Sequence, residues 1–281
     1  MKLGSFDITI LFDGSFALDG GAMFGIIPRV LWERHFTPDE RHRVRISLNT
    51  LLIRTGTKNI LIDTGIGDQW DEREIDMYGI THDTNLLDQL SSQNLRAHDI
   101  DVAINTHLHF DHCGTNTIRI GRETVPTFPR ARYVVQRGEF EHACAPNERD
   151  RASYISRYFM PVAECGRFDF VEGEMEIVPG IKIIRAPGHN RDMQCVLISS
   201  GGQSAIFFSD LAPTTAHIRP SWVTGYDLYP VESVEQKKKL VQQALNENWL
   251  CIFEHDPITP AGYLREKEGK ISVEPVSLNI I

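Results

Sequence analysis

The chain has 281 residues, 41% of them hydrophobic and 24% charged, with a formal net charge of −9. That length suits one large domain or two small ones and is ample for burying a core. The acidic balance, with no basic run longer than Lys237–Lys239, argues against a nucleic-acid partner, because that binding depends on neutralising phosphates. No apolar run is long enough to span a bilayer, so no membrane partner is expected.

The first predicted strand is Phe6–Leu11. It leads into LDGGAMFGIIPRVLW (Leu18–Trp32), where glycines and a proline interrupt apolar side chains and predict a loop. Further strands are predicted at Thr50–Arg54, Asn59–Ile62, Val102–Asn105, Tyr133–Gln136, Ile181–Arg185, Cys195–Ser199, Ala205–Phe208 and Leu250–Phe253. Several are unbroken Val/Ile/Leu/Phe runs, the pattern of strands buried on both faces. Helical spacing marks Asn85–Gln93 and Glu232–Asn246, and a third helical region is expected over Glu139–Met160. Gly262–Pro275 reads as a hairpin turning at Lys267–Gly269. With no linker and no repeat, residues 1–281 are read as one mixed α/β domain.

The N-terminus lacks the basic start, apolar stretch and cleavage site of a secretory signal, which makes a cytoplasmic location the expectation. Five scattered cysteines with no C-x-x-C pair predict neither a disulfide framework nor a thiolate zinc site.

The chemistry is concentrated in NTHLHFDHCG (Asn105–Gly114), which sets His107, His109, Asp111 and His112 within six residues at the end of a strand. Four such side chains are hard to place in an apolar core and easy to place around a cation. Three more ligand-type residues follow later strands: His189 after IKIIRAPG, Asp210 after AIFFS, and His255 after WLCIFE. Ligands presented from strand ends sit on a rigid scaffold while their loops stay open to a substrate. Imidazoles suit zinc and its first-row neighbours, and carboxylates supply the charge that lets two cations sit close together.

H-x-H-x-D-H after a strand, followed by His, Asp and His after later strands, resembles the metallo-β-lactamase-fold hydrolases. The preceding ILIDTGIG (Ile60–Gly67) matches that family's D-T-G turn, and the later ligands are separated by 77, 21 and 45 residues (112 to 189, 189 to 210, 210 to 255). The resemblance implies an α/β four-layer αβ/βα sandwich, with a metal site at the strand C-terminal ends between the two sheets. It implies that His107, His109 and His189 hold one divalent metal, that Asp111, His112 and His255 hold a second, and that Asp210 bridges them. Zinc is the first expectation; iron, manganese, cobalt or nickel suit the same donors. Asp63 is expected to support the ligands and the turn rather than to bind metal. Asp111 and Asp210 are the candidate catalytic residues: a hydroxide shared by two metals attacks a carbonyl, and Asp111 protonates the departing alkoxide.

An Asp at position 210 sets the chain apart from true β-lactamases. The apolar segment Leu18–Trp32 resembles the loop that roofs the pocket in the N-acyl-homoserine lactonases and methyl parathion hydrolases, which implies a small-molecule substrate with an apolar group. The alternatives are an organophosphate or aryl esterase, a glyoxalase-II-like thioesterase and an iron-dependent sulfur dioxygenase. Residues 18–45 would form the pocket lid and a candidate homodimer surface. Met23, Phe24, Trp32, His217 and Tyr226 are the candidate substrate contacts, with Tyr229 a further donor. Such lactonases carry a Tyr three residues after the bridging Asp; here that position is Pro213.

Overall fold

Ile60, Leu61 and Ile62 show how the predicted runs become buried strands. In the computed structural model, which describes residues 1–276, Ile60 and Ile62 face a core between two sheets, while Leu61 faces the opposite way, toward Leu86 and Leu90 of the helix Leu86–Ser92. Side chains alternate across a strand, so a run covered on both faces has no polar position. The last five residues of the expected domain, 277–281, lie outside the described residues.

The first sheet orders its strands as Lys2–Leu3, Phe6–Asp19, Arg43–Arg54, Asn59–Ile62, Val102–Ile104, Arg132–Gln136 and Phe168–Val171. The second orders Met175–Val178, Ile181–Arg185, Gln194–Ser200, Gln203–Phe207, Leu250–Ile252, Ala261–Lys267 and Lys270–Pro275. Strands on either side of a helical crossover pair in parallel, as at Ile60–Val102 and Ala205–Leu250; the hairpin neighbours pair antiparallel. Ile8, Ile10, Leu51, Ile53 and Ile104 of the first sheet pack on Ile183, Val196, Ile198, Phe207 and Ile252 of the second. Each such side chain, fully buried, contributes roughly 1.5–3 kcal/mol. The outer face of the second sheet is covered by Leu240, Val241 and Ala244 of the helix Pro230–Asn246. The layers are therefore helix, sheet, sheet, helix, as the resemblance implied.

Several elements differ from expectation: the strand expected over Thr50–Arg54 begins already at Arg43, and the strands Phe168–Val171 and Met175–Val178 were not expected. The first long strand does not stop at Leu11 but runs to Asp19, through a bulge between Phe12 and Ser15. At the bulge Gly14 adopts a φ of +89°, and the buried Asp13 carboxylate accepts the backbone N–H groups of Ile66, Gly67 and Leu86. The helix expected over Glu139–Met160 is broken. It runs only over Arg137–Cys144, because Pro146 has no N–H and disfavours helical backbone at Ala145. A 3-10 turn at Ser156–Tyr158 and a short helix at Met160–Glu164 follow. Last, the segment Leu18–Trp32 is partly regular: it holds two short helices, Gly20–Phe24, capped by the Asp19 side chain, and Arg29–Trp32. Among the described residues no helix is long and apolar enough to cross a membrane.

Candidate metal centre

The strand Val102–Ile104 ends beside Asp63, which sits at the end of Asn59–Ile62 with a φ of +54°. The two strand ends are tied by Thr106, whose backbone N–H and Oγ1 donate to Asp63 at 2.7 and 2.6 Å. A reciprocal pair, Asn105 with Asn116, closes the loop beyond the ligands. Leu108 donates its N–H to the buried Glu139 at 2.9 Å. Gly114 lets the loop pass against the turn that follows Asp63, since a Cβ there would lie 2.1 Å from the Ile66 carbonyl carbon.

The seven expected ligands come together. His107, His109, His189 and Asp210 form one group and Asp111, His112 and His255 another, with the donor atoms of each group within 4.8 Å of one another. His189 Nε2 is 3.1 Å from His109 Nδ1 and 3.2 Å from Asp210 Oδ2. His255 Nε2 is 3.3 Å from His112 Nε2, 3.6 Å from Asp111 Oδ2 and 3.1 Å from Asp210 Oδ1. Asp210 thus faces both groups. Around a tetrahedral zinc with bonds near 2.0–2.1 Å, ligand atoms stand about 3.3 Å apart, which matches these separations. Among the described residues buried His107 Nε2 has no hydrogen-bond partner. A cation at the point of convergence would satisfy it, and without one the atom would be desolvated and unpaired.

The ring nitrogens facing away from the centre support the same reading. His112 Nδ1 is 3.1 Å from Asp63 and 2.9 Å from Glu254, His189 Nδ1 is 3.1 Å from Asp227, and His255 Nδ1 donates to the Ser47 carbonyl at 2.8 Å. Fixing one nitrogen leaves the other as a lone-pair donor aimed inward. Asp63 thus contacts both His112 and Thr106, and with His112 and Glu254 forms a third buried group of ligand-type atoms. Asp227, Glu254 and Glu139 were not anticipated. Glu254 had a signal in its place directly before His255, whereas Asp227 lies 38 residues from the histidine it holds. Without metal the charges lean on one another. Burial pushes Asp210 upward, but His112, His189 and His255 hold its carboxylate well below the usual range. Burial lowers His255, and Asp210 outweighs it, raising the imidazole to about 9.

A cavity of about 240 Å³ opens beside the ligands. His109, Asp111, His189, Asp210 and His255 line one end, and Phe16, Leu18, Met23, Ile46 and Phe110 supply apolar walls. Of the candidate substrate contacts, Met23 and Tyr226 line it, and Tyr78 and Arg149, which were not anticipated, join them. Phe24, Trp32 and His217 do not. They form a buried parallel stack, Trp32 on Phe24 at 5.1 Å and Phe24 on His217 at 5.0 Å. His217 donates from Nε2 to the Met23 carbonyl and accepts at Nδ1 from the Thr214 hydroxyl, so it pins the N-terminal segment to the Asp210 loop. Aromatic residues beside glycines read as an open loop, but packing on one another hides them from solvent. Tyr229 lies outside the cavity, its hydroxyl 3.5 Å from Arg191. Pro213 lines the cavity and its carbonyl accepts the His255 N–H.

Residues 45–255 match the model of the metallo-beta-lactamase superfamily. The N-acyl homoserine lactonase of Bacillus cereus is 23% identical over 215 residues, 73% of this chain and 79% of that protein. A probable metal-dependent hydrolase from Staphylococcus aureus superposes with a TM-score of 0.90 at 31% identity, covering 99% of this chain and 100% of that one. AidC, a dizinc quorum-quenching lactonase in complex with its product N-hexanoyl-L-homoserine, superposes with a TM-score of 0.81 at 22% identity, covering 99% and 97%. With its matched region spanning every ligand, the chain belongs to the metallo-beta-lactamase superfamily.

Proposed function

We propose that the protein is a metal-dependent hydrolase of esters that opens lactones. The observation that carries this reading is the convergence of His107, His109, Asp111, His112, His189, Asp210 and His255 at the end of a cavity with apolar walls. When bound, two divalent metals, zinc by first preference, would supply a nucleophile available at neutral pH and Lewis-acid polarisation of the carbonyl. The chain's own residues do the rest. His107, His109 and His189 would hold one ion and Asp111, His112 and His255 the other, with Asp210 facing both groups. Met23, Phe16, Leu18 and Ile46 take up the apolar group of the substrate and exclude water from it. Tyr226 lines the cavity near Asp111 and Asp210, and its phenol stays protonated because burial and those carboxylates push it upward. It is therefore a hydrogen-bond donor for a substrate oxygen, in a site where Pro213 offers none. Asp111 lines the same cavity, and we assign it the transfer of the attacking water's proton to the leaving alkoxide.

The residues 18–45 close one side of this cavity through Leu18 and Met23, which supports reading them as its wall and lid. The test is metal content per purified chain together with acid release from an N-acyl homoserine lactone. About two metals and rapid acid release are expected. Two metals with turnover only of aryl esters, phosphotriesters or thioesters would replace the lactone by that substrate, and a single iron with oxygen uptake would overturn the hydrolase reading.

A further inference from the structure

Arg149 is the one guanidinium in the cavity lining, and no carboxylate of the described residues lies within salt-bridge distance of it. It is delivered there by the segment that breaks away from the helix Arg137–Cys144. Asn147 accepts the Arg149 backbone N–H at 2.8 Å, and the next residue, Asp150, is buried against His142. The side chain is held as well. Arg149 Nη2 donates to the carbonyls of Gly225 at 2.7 Å and Asp227 at 3.3 Å, on the segment that carries Thr224 and Tyr226 into the same cavity. Nε and Nη1 are left without a partner among the described residues. A guanidinium presented this way is pre-organised, so a ligand that meets it does not have to order a flexible side chain.

We infer that the cavity takes a lactone or ester bearing a second, free carboxylate, which Arg149 binds while the scissile carbonyl lies at the ligand end. The inference rests on the proposed hydrolase reading and names its substrate class. Charge supports it. A free carboxylate gains a charge-assisted partner from this exposed guanidinium, whereas a neutral substrate would gain little from it. Arginine also matches a carboxylate geometrically through paired N–H donors. For a lactone, hydrolysis adds one water across the ring acyl C–O bond and yields a hydroxy-dicarboxylate and one proton, so the product would be held at both ends of the cavity; an ester would instead release a separate alcohol.

The test compares two probe pairs on the metal-loaded protein. In the first, hydrolysis of 5-oxotetrahydrofuran-2-carboxylate is measured against its neutral carboxamide. In the second, calorimetry compares binding of glutarate with that of its monoamide. The wild-type protein should favour the carboxylate member of each pair by tenfold or more, in kcat/KM and in Kd. Arg149→Gln should bring both ratios near one, and Arg149→Lys should retain part of the preference. Equal handling of both members by the wild-type protein, or ratios unchanged in Arg149→Gln, would overturn the inference while leaving lactone opening intact. Glutarate discrimination that depends on Arg149, with neither lactone opened, would uphold the anion site and reject the lactone reading instead.

Discussion

Asp227 Oδ1 lies 3.1 Å from Nδ1 of His189, on a segment whose preceding residue, Tyr226, lines the cavity. The same carboxylate accepts the hydroxyls of Thr224 and Ser233, so one buried aspartate ties a ligand, a cavity wall and the helix Pro230–Asn246 together. Burial works against its ionisation, yet these hydrogen bonds hold its carboxyl below the usual range. Asp227→Ala should leave His189 free to rotate and weaken metal binding by about 10–100-fold, the usual cost of losing such a support. Competition with a chromogenic chelator measures this directly, and unchanged affinity would show that His189 is oriented without it.

Asp210→Asn and His109→Ala remove donors from the centre itself. Turnover should fall by several orders of magnitude while far-ultraviolet circular dichroism stays native, because the sheets pack through a separate apolar core. Metal content should drop below that of the wild-type protein in both variants. A metal-loaded Asp210→Asn variant with near-normal activity would reject the ligand assignment.

His217 is buried and kept neutral in the fold: desolvation, helped by the nearby Lys237 ammonium, pushes its pKa down to about 3. In the unfolded chain it titrates near 6.5. Below that pH the unfolded state binds a proton that the folded state refuses. Stability is therefore retained above about 6.5 and lost as the pH falls toward 3, with a limiting slope of about 1.4 kcal/mol per pH unit. Denaturant titrations of the metal-free protein at pH 7, 6, 5 and 4 should be flatter by about this amount in His217→Gln. Equal slopes would assign the acid sensitivity to other groups.

Gly20 lies under the Trp32 ring: a Cβ built on it would come within 2.6 Å of the indole. Gly20→Val should push Trp32 out of its stack on Phe24 and destabilise the protein by about 1–3 kcal/mol, the usual range for overpacking. Because His217 ends that stack and bonds to Met23, the cavity wall should shift too. A lower Tm together with a raised KM is expected; a lower Tm alone would separate the stack from the cavity.

The convergence of the candidate ligands was legible because each follows a hydrophobic run, and a strand end is a place that sequence can mark. His189, Asp210 and His255 needed no contact information to be found. The supports were not legible for the opposite reason. Glu139 serves Leu108 from 31 residues away and Asp227 serves His189 from 38, and such pairings exist only once the chain is folded. The stack of Trp32, Phe24 and His217 misled for a related reason. Aromatic side chains near glycines do not declare whether they face a substrate or one another. The strand beyond Leu11 was not legible either, because the bulge at Gly14, with its positive φ, interrupts the apolar alternation.

The centre draws its residues from both halves of the molecule. Asp63 and the run from His107 to His112 hang from the first sheet, while His189, Asp210 and His255 hang from the second. Bound ions would act as rivets between the halves, and by mass action their binding free energy would add to the stability of the whole chain. Chelation should then do more than silence catalysis: it should loosen the seam and shorten the time the protein survives a protease. Metal supply would set how much of this enzyme persists as well as how fast it works.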